Sequence, residues 1–194
     1  MGTDLPTLPP PKPAETVRSH WSGVDHDGTA VASGCGRYRY ELTRRWAVGP
    51  VAVMVGLNPS TADHEVDDPT TRRCVGFAKA WGCGGLVLVN LFALRSTDPR
   101  RLRDHDAPVG AMNDRFLAAA LDAAGDRPVV ACWGVRGTLR GRDAEVLALF
   151  GDRPVQCFGR TRDGHPRHPL YLPNTTDLSP FLKVPTKRTC PASD

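Results

Sequence analysis

Side chains that could do chemistry stand just beyond apolar runs of the sequence, where turns should begin. Asn58 and Asn90 each follow such a run, and His165 and His168 lie in the segment after the last one. An asparagine cannot act as a general base, but its amide oxygen can hold a water molecule and its nitrogen donates two hydrogen bonds. A histidine supplies a donor that can stabilise developing negative charge. We therefore expect hydrogen-bonding chemistry at these four side chains.

The elements that must position these side chains alternate along the chain. Apolar, β-branched runs predict strands buried on both faces, and residues at helical spacing predict helices between them. The predicted strands are 51–55, 86–89, 129–133 and 155–158, and the predicted helices are 70–81, 113–124 and 143–150. Such alternation favours parallel strands whose following turns share one rim of the sheet. That rim would gather Asn58, Asn90, Arg136, His165 and His168. The predicted fold class is α/β, a three-layer α/β/α domain with a four-stranded parallel sheet and an N-terminal β extension.

The N-terminal extension is predicted from residues 30–45. Tyr38, Tyr40 and Leu42 alternate with polar residues, which is typical of a strand with one face inward. We expect the arginines of this segment to face mostly outward as a solvated basic face, in preference to a phosphate contact. These arginines are Arg37, Arg39, Arg44 and Arg45.

The length of 194 residues favours one domain, which we place at 16–182. Residues 1–15 are proline-rich and predicted to be disordered, and 183–194 are predicted to be a loose tail. The formal charge of +4 favours anionic partners without identifying one. No apolar run approaches the roughly 18 residues of a membrane span, so we expect no membrane contact and a cytoplasmic location. The sequence leaves the oligomeric state open.

The six cysteines form no C-x-x-C pair, and no histidine stands at zinc-finger spacing from them. We therefore expect neither a structural zinc site nor a disulfide framework. A four-cysteine iron–sulfur site stays open because its ligands can be distant in sequence, but nothing in the pattern asks for one. The prediction is no metal and no cofactor, with Cys132 and Cys157 packed as thiols in apolar runs.

Four short motifs, in order, resemble those of the uracil-DNA glycosylase superfamily. They are GLNPS at 56–60, WGCGGLVLVN at 81–90, VVACWG at 129–134 and HPRHP at 165–169. The resemblance implies that family's fold, with Asn58 in the water-activating motif and Asn90 reading the edge of a base. It also implies that His165 or His168 stabilises charge on the departing base. Three departures stand out. Asn58 replaces the aspartate of the most active members, and HPRHP leaves open which histidine is equivalent. No clear aromatic residue follows the first motif to stack on the base, and Phe77 and Phe92 are the candidates for that role.

The resemblance implies an N-glycosidic bond hydrolase that acts on a nucleobase in DNA or in a nucleotide. Asn58, His165 and His168 are then the candidate catalytic residues. The candidate substrate-binding residues are Gly56, Leu57, Pro59, Ser60, Asn90, Phe92, Arg72, Arg73 and Arg167. The alternative is a non-catalytic module that binds nucleic acid or a nucleotide on the same scaffold.

Structural alternatives accompany these assignments. Asn90 could simply cap a turn, the two histidines could be surface loop residues, and Arg72 and Arg73 could pair with Asp67 and Asp68. The whole chain also resembles a bacterial family of uncharacterised proteins. That second resemblance is carried by GLNPSTAD, DDPTTRRC, VNLFALRSTDP and DGHPRHPLYLP.

Overall fold

The structure, a computed structural model, describes residues 16–182 apart from 126 and 128. Its strands are β1 Thr16–Ser22, β2 Asp27–Ser33, β3 Arg39–Arg45, β4 Val51–Gly56, β5 Gly85–Asn90, β6 Val129–Ala131, β7 Val155–Cys157 and β8 Ser179–Leu182. Its α-helices are α1 Pro69–Ala80, α2 Arg101–Asp104, α3 Asn113–Ala124 and α4 Arg142–Phe150. Short 3-10 segments span Val135–Gly141 and Pro169–Tyr171. The tails predicted at 1–15 and 183–194 lie outside the described residues.

All eight of these strands belong to one mixed sheet, in the order β1-β2-β3-β5-β4-β6-β7-β8. The pairings β5–β4, β4–β6 and β6–β7 are parallel. The pairings β1–β2, β2–β3, β3–β5 and β7–β8 are antiparallel and occupy the two edges. Antiparallel pairings are therefore the majority in the sheet.

The predicted fold class, a three-layer α/β/α domain with a four-stranded parallel sheet, is wrong. The segment read as one strand over 30–45 is the end of β2 and all of β3, and β1 extends the same antiparallel ladder. Short turns suffice to join antiparallel strands, so these hairpins leave no helical signal between them. The helices are few and pack on the central strands, while β1 is largely exposed.

Two hydrophobic cores lie against this sheet, and β4 contributes to both. Val53 and Val55 join the core that holds Leu117 and Leu121 of α3. Ala52 and Met54 join the core that holds Cys74 and Phe77 of α1. Alternate side chains of a strand point to opposite faces, which explains this division. The unbroken apolar run at 51–55 is thus a strand buried on both faces, as predicted.

The helices begin and end close to the predicted positions because their boundary signals are local. Asp68 is the N-cap of α1, where its carboxylate accepts a hydrogen bond from the Thr71 amide, and Pro69 occupies the first turn. Gly125 ends α3 with a positive φ of 58°. In the part of the chain that the structure describes, no helix has the length and apolarity needed to cross a bilayer. The cytoplasmic location stays a prediction.

The loop between β4 and α1 rests on two buried arginines of β3. Arg44 donates to the Asp67 carboxylate at 2.8 Å and to the Asp63 carbonyl at 2.6 Å. Arg39 donates to the carbonyl of Ala62. The expectation that these two side chains face outward is wrong, because their guanidinium groups satisfy loop carbonyls and a carboxylate that hydrophobic side chains could not. Arg37 and Arg45 are exposed, as expected.

Candidate functional site

A small polar cavity lies beyond the carboxyl ends of β4, β5 and β6. Its volume is about 50 Å³. We call it the strand-end cavity. It is lined by Arg39, Gly56, Leu57, Asn58, Ser60, Asp68, Thr70, Thr71, Cys74, Leu88, Asn90, Cys132, His168 and Pro169. The chain thus brings Asn58, Asn90 and His168 together across more than a hundred positions, as the rim argument anticipated, although the cavity is smaller than a nucleobase site.

Asn58 is held at the cavity by its own amide nitrogen. That nitrogen donates to the carbonyl oxygens of Pro59 and Ser96, both at 2.9 Å, and more distantly to that of Leu94 at 3.5 Å. Three surrounding carbonyls fix which end of the amide is the nitrogen. Among the described residues nothing donates to the Asn58 oxygen. The oxygen is therefore left as an acceptor for water or a ligand.

Asn90 ends β5 directly beside Gly56, with which it is paired in the parallel ladder. A Cβ at Gly56 would lie 2.7 Å from the Asn90 side-chain oxygen, so glycine leaves the space that this amide occupies. Asn90 is only 7% exposed, yet its amide nitrogen has no hydrogen-bond partner among the described residues. A turn-capping asparagine would use its side chain on the nearby backbone. The structure instead leaves a buried donor without a partner on a residue that lines the cavity.

His168 is the histidine at the cavity. Its Nδ1 accepts a hydrogen bond from the Leu170 amide at 3.3 Å, which leaves Nε2 as the nitrogen that carries the proton. Burial lowers the pKa of His168, and the negative charge of Asp68 opposes that shift only in part. The imidazole is thus a neutral N–H donor near pH 7. His165 does not line the cavity; it closes a turn with Thr161.

Arg39 and Asp68 also line the cavity, and the sequence analysis did not assign them to the site. Arg39 is 4% exposed, and its Nε has no partner among the described residues. Burial lowers the pKa of Arg39 to about 10, although Asp68 acts in the opposite direction. Asp68 accepts from the Thr71 and Ala62 amides at 2.7 and 3.4 Å. The N-cap signal located Asp68, but no local pattern marks Arg39 as buried.

Several predicted substrate-binding residues lie elsewhere. Phe92 is fully buried in the core beneath α3, so stacking on a base would require that core to open. Arg73 donates to the Leu172 carbonyl and the Asn174 side chain and lies 5.0 Å from the Phe77 ring centre. Phe77, the other stacking candidate, is buried against Phe158. The structure places these side chains in packing and hydrogen-bond contacts outside the cavity lining, and their substrate-binding roles stay predictions.

Three further predicted residues also lie outside the cavity lining: Pro59, Arg72 and Arg167. Pro59 is buried, whereas Arg72 and Arg167 are exposed. Arg72 donates to the backbone carbonyl of Asp67 and does not form the predicted ion pair with a carboxylate of the described residues. The Asp67 carboxylate is taken by Arg44 instead.

Two thiols, those of Cys74 and Cys132, form part of the cavity wall. A hydrogen bond with Cys132, together with burial, raises the pKa of Cys74 well above its usual range. A protonated thiol is a poor nucleophile and a poor metal ligand. Within residues 16–182, excluding the two gaps, no group of three or more His, Cys, Asp or Glu side chains is placed to hold a metal ion.

The sequence profile of one family, described as "Protein of unknown function (DUF1643)", matches residues 39–170. That range contains β3 to the last cavity residues and covers about two thirds of the chain. No curated protein and no solved structure matched. The predicted resemblance to an uncharacterised family is confirmed, whereas nothing in these comparisons links the chain to the uracil-DNA glycosylase superfamily. The chain belongs to the DUF1643 family.

Proposed function

We propose that this member of the DUF1643 family hydrolyses the N-glycosidic bond of a nucleobase, in DNA or in a nucleotide. The observation that carries the proposal is a set of unused hydrogen-bonding groups around one cavity. Among the residues that the structure describes, Asn90 and Arg39 each have a buried donor without a partner, and the Asn58 oxygen accepts no hydrogen bond. An unsatisfied buried donor costs about 1–3 kcal/mol, which favours a ligand that supplies the missing acceptors.

Carbonyl oxygens on the edge of a base would satisfy these donors. Asn90 and Arg39 both line the cavity, and the Asn90 amide nitrogen and the Arg39 Nε lack an acceptor in the described part of the chain. A site built this way rejects analogues without the matching oxygen, because its own donors would stay unpaired. The pattern therefore favours a base that carries an exocyclic oxygen.

The same side chains could serve the bond cleavage. In the hydrolysis, water adds to the anomeric carbon of the sugar while the C–N bond breaks and the base departs with the electron pair. The Asn58 oxygen would orient that water, and the Nε2–H of neutral His168 would donate to the base as negative charge develops. The Asp68 carboxylate supplies negative charge near a sugar that becomes positive. The proton of the water ends on the departing base.

The cavity volume favours the second candidate function, a non-catalytic nucleotide- or nucleic-acid-binding module. About 50 Å³ holds a few water molecules, and pockets for small molecules begin at about 300 Å³. Entry of a whole base therefore requires the lining of the cavity to move apart. A binding module would need only the edge of a base to reach the donors.

The deciding experiment measures release of free base. Single-stranded oligonucleotides that carry uracil, hypoxanthine, xanthine or an oxidised pyrimidine, and the matching nucleosides and nucleotides, are incubated with protein. Products are separated by chromatography, and abasic sites are detected by alkaline cleavage. We expect release from at least one substrate with an exocyclic oxygen.

The variants Asn58→Ala and Asn174→Ala make a matched pair, because both remove an asparagine but only Asn58 lines the cavity. We expect Asn58→Ala to lower the release rate about 100-fold, the size of effect seen for a positioned polar group in an active site. Asn174→Ala should keep the wild-type rate. No release from any substrate, with oligonucleotide binding that Asn90→Ala abolishes, would favour the binding module.

A further inference from the structure

An arginine-rich groove lies beside the strand-end cavity, on the other side of one chain segment. Its volume is about 640 Å³, within the range of about 300–1,000 Å³ that holds small-molecule ligands. Arg37, Arg95 and Arg101 line it, and its walls include the segment 94–96 and His105. We call it the arginine groove. The proposed hydrolysis does not use this groove.

The three guanidinium groups of the groove are not neutralised by ion pairs. In the described part of the chain, none has a carboxylate oxygen within 4.0 Å of its nitrogens. Neighbouring arginines are used differently: Arg100 pairs with Asp98 at 3.0 Å, and Arg140 donates to the His105 carbonyl at 2.8 Å. One carboxylate, Asp104, also lines the groove, so positive charge remains in excess.

The groove and the strand-end cavity share a wall. The carbonyls of Leu94 and Ser96 accept hydrogen bonds from the Asn58 amide nitrogen, and the Ser96 amide donates to the Pro59 carbonyl at 2.8 Å. Leu94, Ser96 and Arg95 all line the groove. A ligand that spans both spaces would therefore place the polar edge of a ring in the strand-end cavity and an anionic group in the arginine groove.

We propose that the arginine groove binds phosphate, and that the substrate of the strand-end cavity is a phosphate-bearing nucleotide unit. The claim about the substrate rests on the proposed function, whereas the claim that the groove binds phosphate does not. Guanidinium groups bind phosphate through two parallel hydrogen bonds, and such contacts fix the register of a nucleic acid without reading its sequence. The phosphate can come from the diester backbone of a strand or from the terminal phosphate of a nucleotide.

The test compares Arg37→Gln/Arg101→Gln with Arg115→Gln, because Arg115 is an exposed arginine on α3 outside the groove. Probes are a fluorescent single-stranded DNA, the same sequence with a neutral methylphosphonate backbone, a deoxynucleoside triphosphate and a nucleoside. Affinity is measured by anisotropy and calorimetry between 25 and 200 mM salt. We expect the groove variant to lose at least tenfold in affinity for a phosphate-bearing probe.

The salt dependence gives a second readout. If two phosphate contacts are removed from a strand, the slope of log affinity against log salt should fall by about 1.4, since each contact on a single strand contributes about 0.7. Arg115→Gln should match wild type. Equal affinity of the groove variant and wild type for every probe, an equal loss in Arg115→Gln, or undiminished binding of the methylphosphonate strand would overturn the groove proposal.

The two proposals fail in different ways. Loss of strand binding alone assigns the groove to the diester backbone, and loss of triphosphate binding alone assigns it to a free nucleotide. If no base is released but the groove variant still weakens phosphate binding, the hydrolase proposal fails and the groove stands. If base is released and the groove variant binds and turns over as wild type does, the groove proposal fails and the hydrolase stands.

Discussion

The strand-end cavity and the arginine groove lie on either side of the segment 94–96, yet they are built in opposite ways. The cavity is small, and its polar groups come from buried side chains such as Arg39, Asp68 and Asn90. The groove is more than ten times larger, and two of its three arginines are exposed. Buried polar groups are costly to mismatch, whereas exposed charges adapt and are screened by salt. We therefore expect the cavity to determine which ligand is bound and the groove to attract anionic ligands without selecting among them.

The largest expected effect is a difference in the alkylation rates of two cysteines, one beside the groove and one in the cavity wall. A hydrogen bond from Ser33 lowers the pKa of exposed Cys35, next to the groove, to about 7, whereas the pKa of Cys74 in the cavity wall is raised. Because the thiolate is the nucleophile, iodoacetamide at pH 8 should modify Cys35 at least about 100-fold faster than Cys74. The rate at Cys35 should rise with a midpoint near pH 7. Mass spectrometry of digested protein over a pH series measures both rates, and similar rates would contradict the contrast.

The next largest effect is a difference in stability between the loss of an arginine beneath the cavity loop and the loss of an arginine in the groove. Arg44→Met removes the contacts to Asp67 and the Asp63 carbonyl beneath the cavity loop and leaves a partly buried carboxylate unpaired. We expect the free energy of unfolding to fall by about 3 kcal/mol, at the low end for a broken buried pair because Asp67 retains some solvent. Arg101→Met, an exposed groove arginine, should change it by less than about 0.5 kcal/mol. Urea titration of both variants measures the difference; equal losses would remove the distinction.

A smaller effect follows from the contact between Gly56 and Asn90. Gly56→Ala would place its Cβ 2.7 Å from the Asn90 side-chain oxygen, and that amide must rotate away. We expect about a tenfold loss of base affinity or release rate, corresponding to one displaced hydrogen bond. Gly76→Ala on α1 is the control, because nothing lies within 4 Å of its added Cβ. Gly76→Ala should raise the free energy of unfolding by about 0.5–1 kcal/mol, because alanine is a better helix former than glycine, and should leave base affinity unchanged. Full binding by Gly56→Ala would show that Asn90 plays no part in recognition.

The smallest effect is a pH dependence of stability at His168. Its pKa in the folded protein lies below the ordinary value near 6.5, so the unfolded chain binds more protons between the two pKa values. Stability from this residue is fully present above about pH 6.5 and is lost as the pH falls through the folded pKa. His168→Asn should flatten the decline in stability between pH 8 and pH 5. Urea midpoints measured at these pH values for wild type and the variant check this, and an equal decline in the two proteins would contradict it.

The sequence predicted elements whose signals are local. Val51–Val55 is apolar throughout and forms a central strand, and Asp68 with Pro69 marks the start of α1. The prediction that Asn58, Asn90 and a histidine lie close together required the strands before them to be parallel neighbours in the sheet. The strands β4 and β5, which precede the two asparagines, are parallel neighbours. The choice between His165 and His168 could not be made, because both histidines precede a proline in one loop and only the packing of that loop against the strand ends brings His168 to the cavity.

The errors share a cause, which is that burial of a residue depends on partners distant in sequence. Arg39 looked like a surface residue because its acceptor, the Ala62 carbonyl, is 23 residues away. Phe92 was a candidate for the stacking aromatic that the resemblance implies, but the run LFAL continues into the core and the side chain lies outside the cavity lining. The fold class was wrong because the edge strands β1 and β8 are partly exposed and lack the unbroken apolar pattern of β4.

One amide group, that of Asn58, has a mechanical consequence for the whole end of the sheet. Its nitrogen donates hydrogen bonds to the carbonyls of the segment between the groove and the cavity, and its oxygen accepts none from the described residues. If a ligand in the groove displaced that segment, the Asn58 amide would move with it. Binding in the groove and orientation of the Asn58 acceptor would then be linked through these hydrogen bonds.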